Sequence, residues 1–295
     1  MKGVITIFSM PQELEDLALT LEKLKRNSAF IDKSVNYKVE VTMCLSDTLT
    51  DWNNTQLPKG YIKDRTSELC QKYLDWCEYS LQFDNEEVLG CVSQRRWSLK
   101  NNPDADFFIW LDCDLLFKDT TLYYITSAYQ MVKESGLDMF VVTPQFLKQW
   151  DNTWDVVANK KYWNYPLNYH LEADTYDEVL PQLEEVNVSE INTFKFAGGW
   201  FTLISRELLE KVGVPESFGH YGLEDTFIMF CSLMMKQKGE AVSQFVIENI
   251  IANEIHKNRT NQTIKNYISS IDKKQEFKKV AEENFEKELN NFNNK

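Results

Sequence analysis

Two carboxylates one residue apart, Asp112 and Asp114, close the apolar run Phe107-Phe108-Ile109-Trp110-Leu111. A run of strand length buries its middle and presents chemistry at its end, and residues at i and i+2 share one face of a continuing strand. At a strand exit the two side chains can converge on one hard cation through oxygen ligands, the outline of a nucleotide and metal site. The same spacing recurs at Asp104-Ala-Asp106. That pair follows Asn101-Asn102-Pro103 and enters the strand, so a solvated turn explains it.

A second acidic group lies in Gly219-His220-Tyr221-Gly222-Leu223-Glu224-Asp225, a glycine-flexed loop that delivers adjacent acids to the start of Thr226-Phe227-Ile228-Met229-Phe230. Adjacent acids repel and diverge to different partners; capping of the following helix would also place carboxylates there. Upstream, Phe196-Ala197-Gly198-Gly199-Trp200 leads into the strand-like Phe201-Thr202-Leu203-Ile204. Missing side chains at a diglycine let another backbone or a ligand approach closely. Downstream stands a lone His256 in Asn253-Glu254-Ile255-His256-Lys257-Asn258.

The elements that must position these groups alternate. Val4 to Phe8 reads as a first strand, and Ser9 to Gln12 has capping-box spacing before the stripe Leu14, Leu17, Leu21 and Leu24 of a first helix. Val39, Val41, Met43 and Leu45 alternate as a second strand ending at Ser46-Asp47. Leu69, Tyr73, Leu74, Cys77 and Leu81 fit a helix, and a further helix carries Gln94-Arg95-Arg96-Trp97 into the strand before Asp112. A helix near Leu122 to Val132 and a strand at Met139 to Val142 continue the pattern, as does a short helix, Arg206 to Val212, capped by Ser205 and stopped at Gly213. Alternation of this kind predicts an α/β fold with a mostly parallel sheet covered by helices. The aromatic stretch from Gln149 to Glu190 lacks clean periodicity. From about Thr260 the chain is polar with sparse apolar positions, predicting a helical extension (260–295) on a main domain (1–259).

Composition bounds the partners. The chain has 295 residues, 43% hydrophobic, enough for a substantial core, and its net charge of −13 argues against a general polyanion-binding surface. A local basic pocket for a nucleotide remains compatible with that charge. Six cysteines are scattered without zinc-finger spacing and read as reduced, structural thiols. The first residues run straight into a strand with no long apolar leader, and no later run reaches bilayer length, so the expected location is cytoplasmic.

Phe196-Ala197-Gly198-Gly199, Ser205-Arg206-Glu207, Gly213 and Gly222-Leu223-Glu224-Asp225, taken with Asp112 and Asp114, resemble the GT-A glycosyltransferases. Within them the order is similar to the inverting β-1,4-galactosyltransferase type and to family-2 enzymes sharing its C-terminal motif, over roughly Val4 to His256. The resemblance implies a GT-A-like fold and a hexosyl- or hexosaminyltransferase. It also implies Asp112 and Asp114 on the nucleotide and Mn2+ (or Mg2+), Asp225 as catalytic base and His256 as a further metal ligand. Where the galactosyltransferase motif has tryptophan and a second glycine, this chain has Tyr221 and Leu223. No Golgi-type membrane anchor accompanies the motif.

On that reading a cation neutralises charge growing on the leaving diphosphate of a nucleotide-sugar, UDP-linked by expectation. Asp112 reaches the ribose, or the metal through water, and Arg95 contacts the nucleotide. Thr6, Phe8 and Asp47, at the exits of the first two strands, are candidates for the uridine pocket. Glu224 orients the acceptor, a hydroxyl of a glycan or glycoconjugate, while Asp225 takes its proton with inversion at the anomeric carbon. Trp200 either stacks under a sugar ring or packs in the core. A metal-dependent nucleotidyltransferase would use the same aspartates but no base at Asp225, and the absence from this chain of an obvious glycine-rich phosphate loop near Ile7 to Gln12 argues against it. A non-catalytic carbohydrate-binding protein of the same fold is the third alternative. Charge disfavours nucleic acid as partner and leaves open a modified nucleobase as acceptor.

Overall fold

The computed structural model describes residues 1–45, 57–84, 90–147, 185–191, 199–254 and 278–294. Strand β1 (Lys2–Ser9) is buried almost throughout because it is central: β2 (Asn36–Met43) and β4 (Phe107–Asp112) flank it, both parallel, and helices cover both faces. With β3 (Glu78–Phe83), β5 (Leu115–Leu116), β6 (Met139–Leu147), β7 (Val188–Glu190), β8 (Phe201–Ser205) and β9 (Val242–Glu254) it forms a 9-stranded sheet. The strand order is β3-β2-β1-β4-β8-β6-β9-β5, with β7 paired to β9. The β3-β2-β1-β4 half and the β6-β9 pair are parallel and hold most of the paired residues, while β8 runs antiparallel to both β4 and β6.

Period-2 alternation divides the core. Phe107, Ile109 and Leu111 of β4 join the cluster beneath helices α1 (Leu14–Asn27), α2 (Lys59–Tyr73) and α4 (Thr121–Glu134). Phe108 and Trp110 point the other way, into a cluster with α3 (Cys91–Asn101), α5 (Arg206–Val212), α6 (Glu224–Gln237) and α7, residues 278–293. By the same parity Asp112 belongs to the α3 and α6 side. Helix α7 packs through Ala281, Phe285, Leu289 and Phe292 on that second cluster.

Three local readings shift. The box before α1 is one residue along: Glu13 Oε2 accepts the Met10 N–H at 3.0 Å, around a 3-10 turn at Pro11–Glu13. Ser205 does stand at the N-cap of α5, but its hydroxyl accepts the Phe140 N–H of β6 at 3.0 Å and makes no cap bond. The helix expected to run through Leu81 stops at Tyr73, and Glu78–Phe83 is the edge strand β3. Leu81 and Phe83 alternate onto the α1 and α2 side, so a four-residue spacing shared with Cys77 imitated a helix. Among the described residues no helix is long and apolar enough to cross a membrane.

Candidate active site

The chain lays β2 and β3 on one side of β1 and then returns to place β4 on the other, with Phe8 opposite Asp112 in register. A reversal of strand order opens a crevice at the carboxyl ends of the strands, where open α/β sheets bind ligands. Asp112 stands at that rim. Its backbone N–H is held by the Trp200 carbonyl at 2.8 Å, which fastens the end of β4 to the start of antiparallel β8. Asp114 follows in the turn after β4, half-buried.

Helix α3 reaches across this rim because Gln94, itself buried, is bonded to the sheet. Its Nε2 donates to the Ile7 carbonyl at 3.0 Å, to the Glu40 carbonyl at 3.3 Å and to Thr42 Oγ1 at 2.9 Å. That anchorage aims the next residue. The Arg95 guanidinium lies 4.5 Å from the Trp110 ring centre, pairs with Glu224 through one nitrogen, and comes within 3.5 Å of Asp112 Oδ1 through another. Arg95 is 9% exposed and Glu224 2% exposed, whereas the Asp112 side chain is 40% exposed. One planar cation thus joins the strand-end aspartate to the acid loop.

Burial dominates the electrostatics of this pair. It pushes the Glu224 carboxyl up, against the pull of Arg95, and the neighbouring Asp225 adds to the rise. Burial acts to discharge Arg95, but Glu224, Cys91 and Asp112 overcome it and hold the guanidinium firmly charged. Glu224 Oε2 has no hydrogen-bond partner among the described residues. The side chain faces the interior and Arg95, so the expectation that it orients an acceptor calls for a different geometry from the one seen.

Asp225 is held differently. Its Oδ2 accepts the Gly199 N–H at 2.9 Å, and its Oδ1 accepts the Thr226 N–H at 2.7 Å, in the first turn of α6 where the helix dipole favours negative charge. A Cβ on Gly199 would stand 2.5 Å from Oδ2, so the carboxylate occupies the space that glycine leaves. Leu223, immediately before the acids, has φ 66°, the left-handed region that favours glycine. Leucine thus stands here in a backbone conformation that glycine adopts freely. The loop also docks on α3: the His220 carbonyl accepts the Val92 N–H at 3.5 Å, and a Cβ on Gly90 would collide with it at 2.2 Å.

Of the remaining candidates, Thr6 is enclosed within β1, its Oγ1 3.5 Å from the Ile109 carbonyl, and Phe8 packs on the α3 and α6 side beside Tyr221. Trp200 is half-buried against the α1-side cluster. Asp47 and His256 lie outside the described residues. Asp104 sits at the opposite end of β4, paired with Lys2 at 2.8 Å, and Asp106 Oδ2 accepts the Lys2 backbone N–H at 2.7 Å. No cluster of three or more metal-ligating side chains occurs among the described residues. Sequence reasoning missed Gln94, the Trp110 face under Arg95 and the Arg95 to Glu224 pairing; only the Gln94-Arg95 adjacency offered a local signal.

No protein-family model matches the sequence, and no curated protein matches it significantly. Solved structures do. A crystal structure of GalNAc-T7 with UDP, GalNAc and Mn2+ superposes with a TM-score of 0.55 at 12% identity, covering 92% of this chain and 48% of that one. S. aureus TarS 1-349 gives 0.51 at 15% identity, covering 86% and 60%, and its complex with UDP-GlcNAc gives 0.50 at 14%, covering 87% and 59%. The chain has the GT-A fold of these glycosyltransferases. It spans less than two thirds of the length of each of these chains.

Proposed function

We propose that the protein is a metal-dependent glycosyltransferase that moves a sugar from a nucleoside diphosphate, UDP by preference, to an acceptor hydroxyl with inversion. The observation that carries the reading is the meeting of Asp112 and the Glu224-Asp225 loop around Arg95 at the strand-order switch of a GT-A sheet. Asp112 and Asp114 present carboxylate oxygens at the rim, the donor chemistry that suits Mn2+ or Mg2+. His256 is proposed as a further ligand. A cation bound there supplies positive charge opposite the leaving diphosphate.

The chain's own residues do the rest. Asp225, fixed through Gly199 and Thr226, accepts the proton of the acceptor hydroxyl as that oxygen bonds to the anomeric carbon and the bond to the diphosphate breaks. Glu224 keeps Arg95 in place, and Arg95 orients Asp112. Phe8 and Asp47 form the nucleoside side of the crevice in this reading and Trp200 closes the sugar side, while Thr6, enclosed within the sheet, has no face toward it. Incubation with UDP- and GDP-sugars and Mn2+, with detection of released nucleotide, tests the proposal. Release of UDP or GDP supports it; release of pyrophosphate indicates a nucleotidyltransferase, and neither release nor binding removes the reading.

A further inference from the structure

The loop that carries the acids has little to hold it from within. Gly213, Gly219 and Gly222 all have positive φ, at 77°, 72° and 96°, and Leu223 adds a left-handed residue, a conformation that a side chain disfavours. One flank rests on α3 through His220. The other rests on α7. Asn284 Nδ2 donates to the Ser217 carbonyl at 3.1 Å and to the Val280 carbonyl of its own helix at 2.9 Å, while Ser217 Oγ donates to Glu288 Oε1 at 2.7 Å. Lys278 Cγ lies 3.1 Å from where a Gly222 Cβ would be, and Val280 Cγ1 3.4 Å from the same point on Gly219.

Helix α7 also grips the far side of the acids. Phe285 stacks on Phe218 with ring centres 6.0 Å apart, and meets Phe227 and Phe230 of α6 edge-on at 6.1 Å and 5.8 Å. Residues on both sides of Leu223-Glu224-Asp225, Ser217 before them and Phe227 and Phe230 after, are therefore fastened to α7. We infer that α7 is a positioning element for the base loop, with Asn284 as its positioning residue; this rests on the reading of Asp225 as the base. Asn284 acts at a distance: it fixes the Ser217 backbone, the loop then keeps Leu223 left-handed, and Asp225 stays on Gly199.

The test uses the full chain with Asn284→Asp, which keeps the shape and removes the donated bond, and Phe285→Leu as an independent loosening. Hydrogen exchange of backbone amides in 216–226 is expected to accelerate about tenfold in both variants while β1 and β4 are unchanged. Turnover of the sugar nucleotide is expected to fall about tenfold in kcat, with donor KM unchanged and Tm within a few degrees of the parent. Unchanged loop exchange in both variants overturns the inference. So does a lowered Tm with parental kcat per folded molecule, which marks α7 as a stabilising helix only. Faster loop exchange in a protein whose parent releases no nucleotide from any donor supports the clamp and sinks the transferase reading, so the two failures are distinguishable.

Discussion

The Asp225 carboxylate rests on the bare Cα of Gly199 and accepts its N–H, so the diglycine strand and the acid loop, 26 residues apart, are two halves of one fitting. The carboxylate is oriented before any ligand arrives, so in the proposed reaction it would need no reorganisation.

A methyl group is enough to disturb that fit. Gly199→Ala would place a Cβ 2.5 Å from Oδ2, with its carbon neighbours 2.6 Å and 2.7 Å away, so Asp225 must move. Turnover is expected to drop by about two orders of magnitude, near the lower range for loss of a general base, with nucleotide affinity by calorimetry retained. Parental turnover in this variant would detach Asp225 from the chemistry.

Asp225→Asn tests the base directly. Asn keeps an acceptor for only one of the Gly199 and Thr226 N–H groups and turns its NH2 toward the other, so hydrogen exchange of 216–226 is followed alongside turnover to separate loss of the base from loss of the loop's position. A fall of about two to four orders of magnitude in kcat is expected, and product NMR is expected to show inversion. A product with the donor's anomeric configuration would leave Asp225 as a structural cap.

The two Asp-x-Asp pairs separate by position. Asp114→Ala is expected to weaken Mn2+-dependent binding of UDP, whereas Asp104→Ala, at the far end of β4 and paired with Lys2, leaves it as in the parent. Turnover is expected to vanish in EDTA and to return with Mn2+. Full activity in chelator, or an Asp104 variant more sensitive than the Asp114 one, would contradict the assignment.

Arg95 and Glu224 make a prediction about stability. Removing one partner of a buried pair strands the other charge, at a cost of about 3 to 5 kcal/mol, whereas apolar replacement of both recovers much of it. Urea denaturation of Arg95→Met, Glu224→Leu and the double variant is expected to show each single change strongly destabilising and the double change milder than their sum. Additive losses would mean that the two side chains do not act as a pair. The double variant is also expected to lose kcat, since Asp112 loses its neighbour at 3.5 Å.

Much of the fold was legible locally. The β4 run and its terminal Asp112 could be read because alternation and an abrupt polar stop are short-range signals, and α5 could be bounded because Gly213 takes a positive φ at its C-cap. The edge strand β3 was hidden because Leu81 within it and Cys77 just before it satisfy a helical spacing, and the strand has neighbours on one side only. The Arg95 to Glu224 pair was invisible for another reason. The partners are 129 residues apart, and nothing in either neighbourhood encodes which arginine, Arg95 or Arg96, turns inward. That choice is made by Gln94, whose three bonds to β1 and β2 fix the rotation of α3.

Because β8 runs against β4 and β6, Leu147 at the end of β6 and Gly199 before β8 both belong to the rim that carries Asp112. Of the described residues between them, β7 (Val188–Glu190) joins the sheet antiparallel to β9, on the side of β6 away from the β3-β2-β1-β4 half. Such a layout lets the two halves diversify separately. Under the proposed function, changes carried by β6, β7 and β9 would leave the β3-β2-β1-β4 half, with Asp112 at its rim, in place.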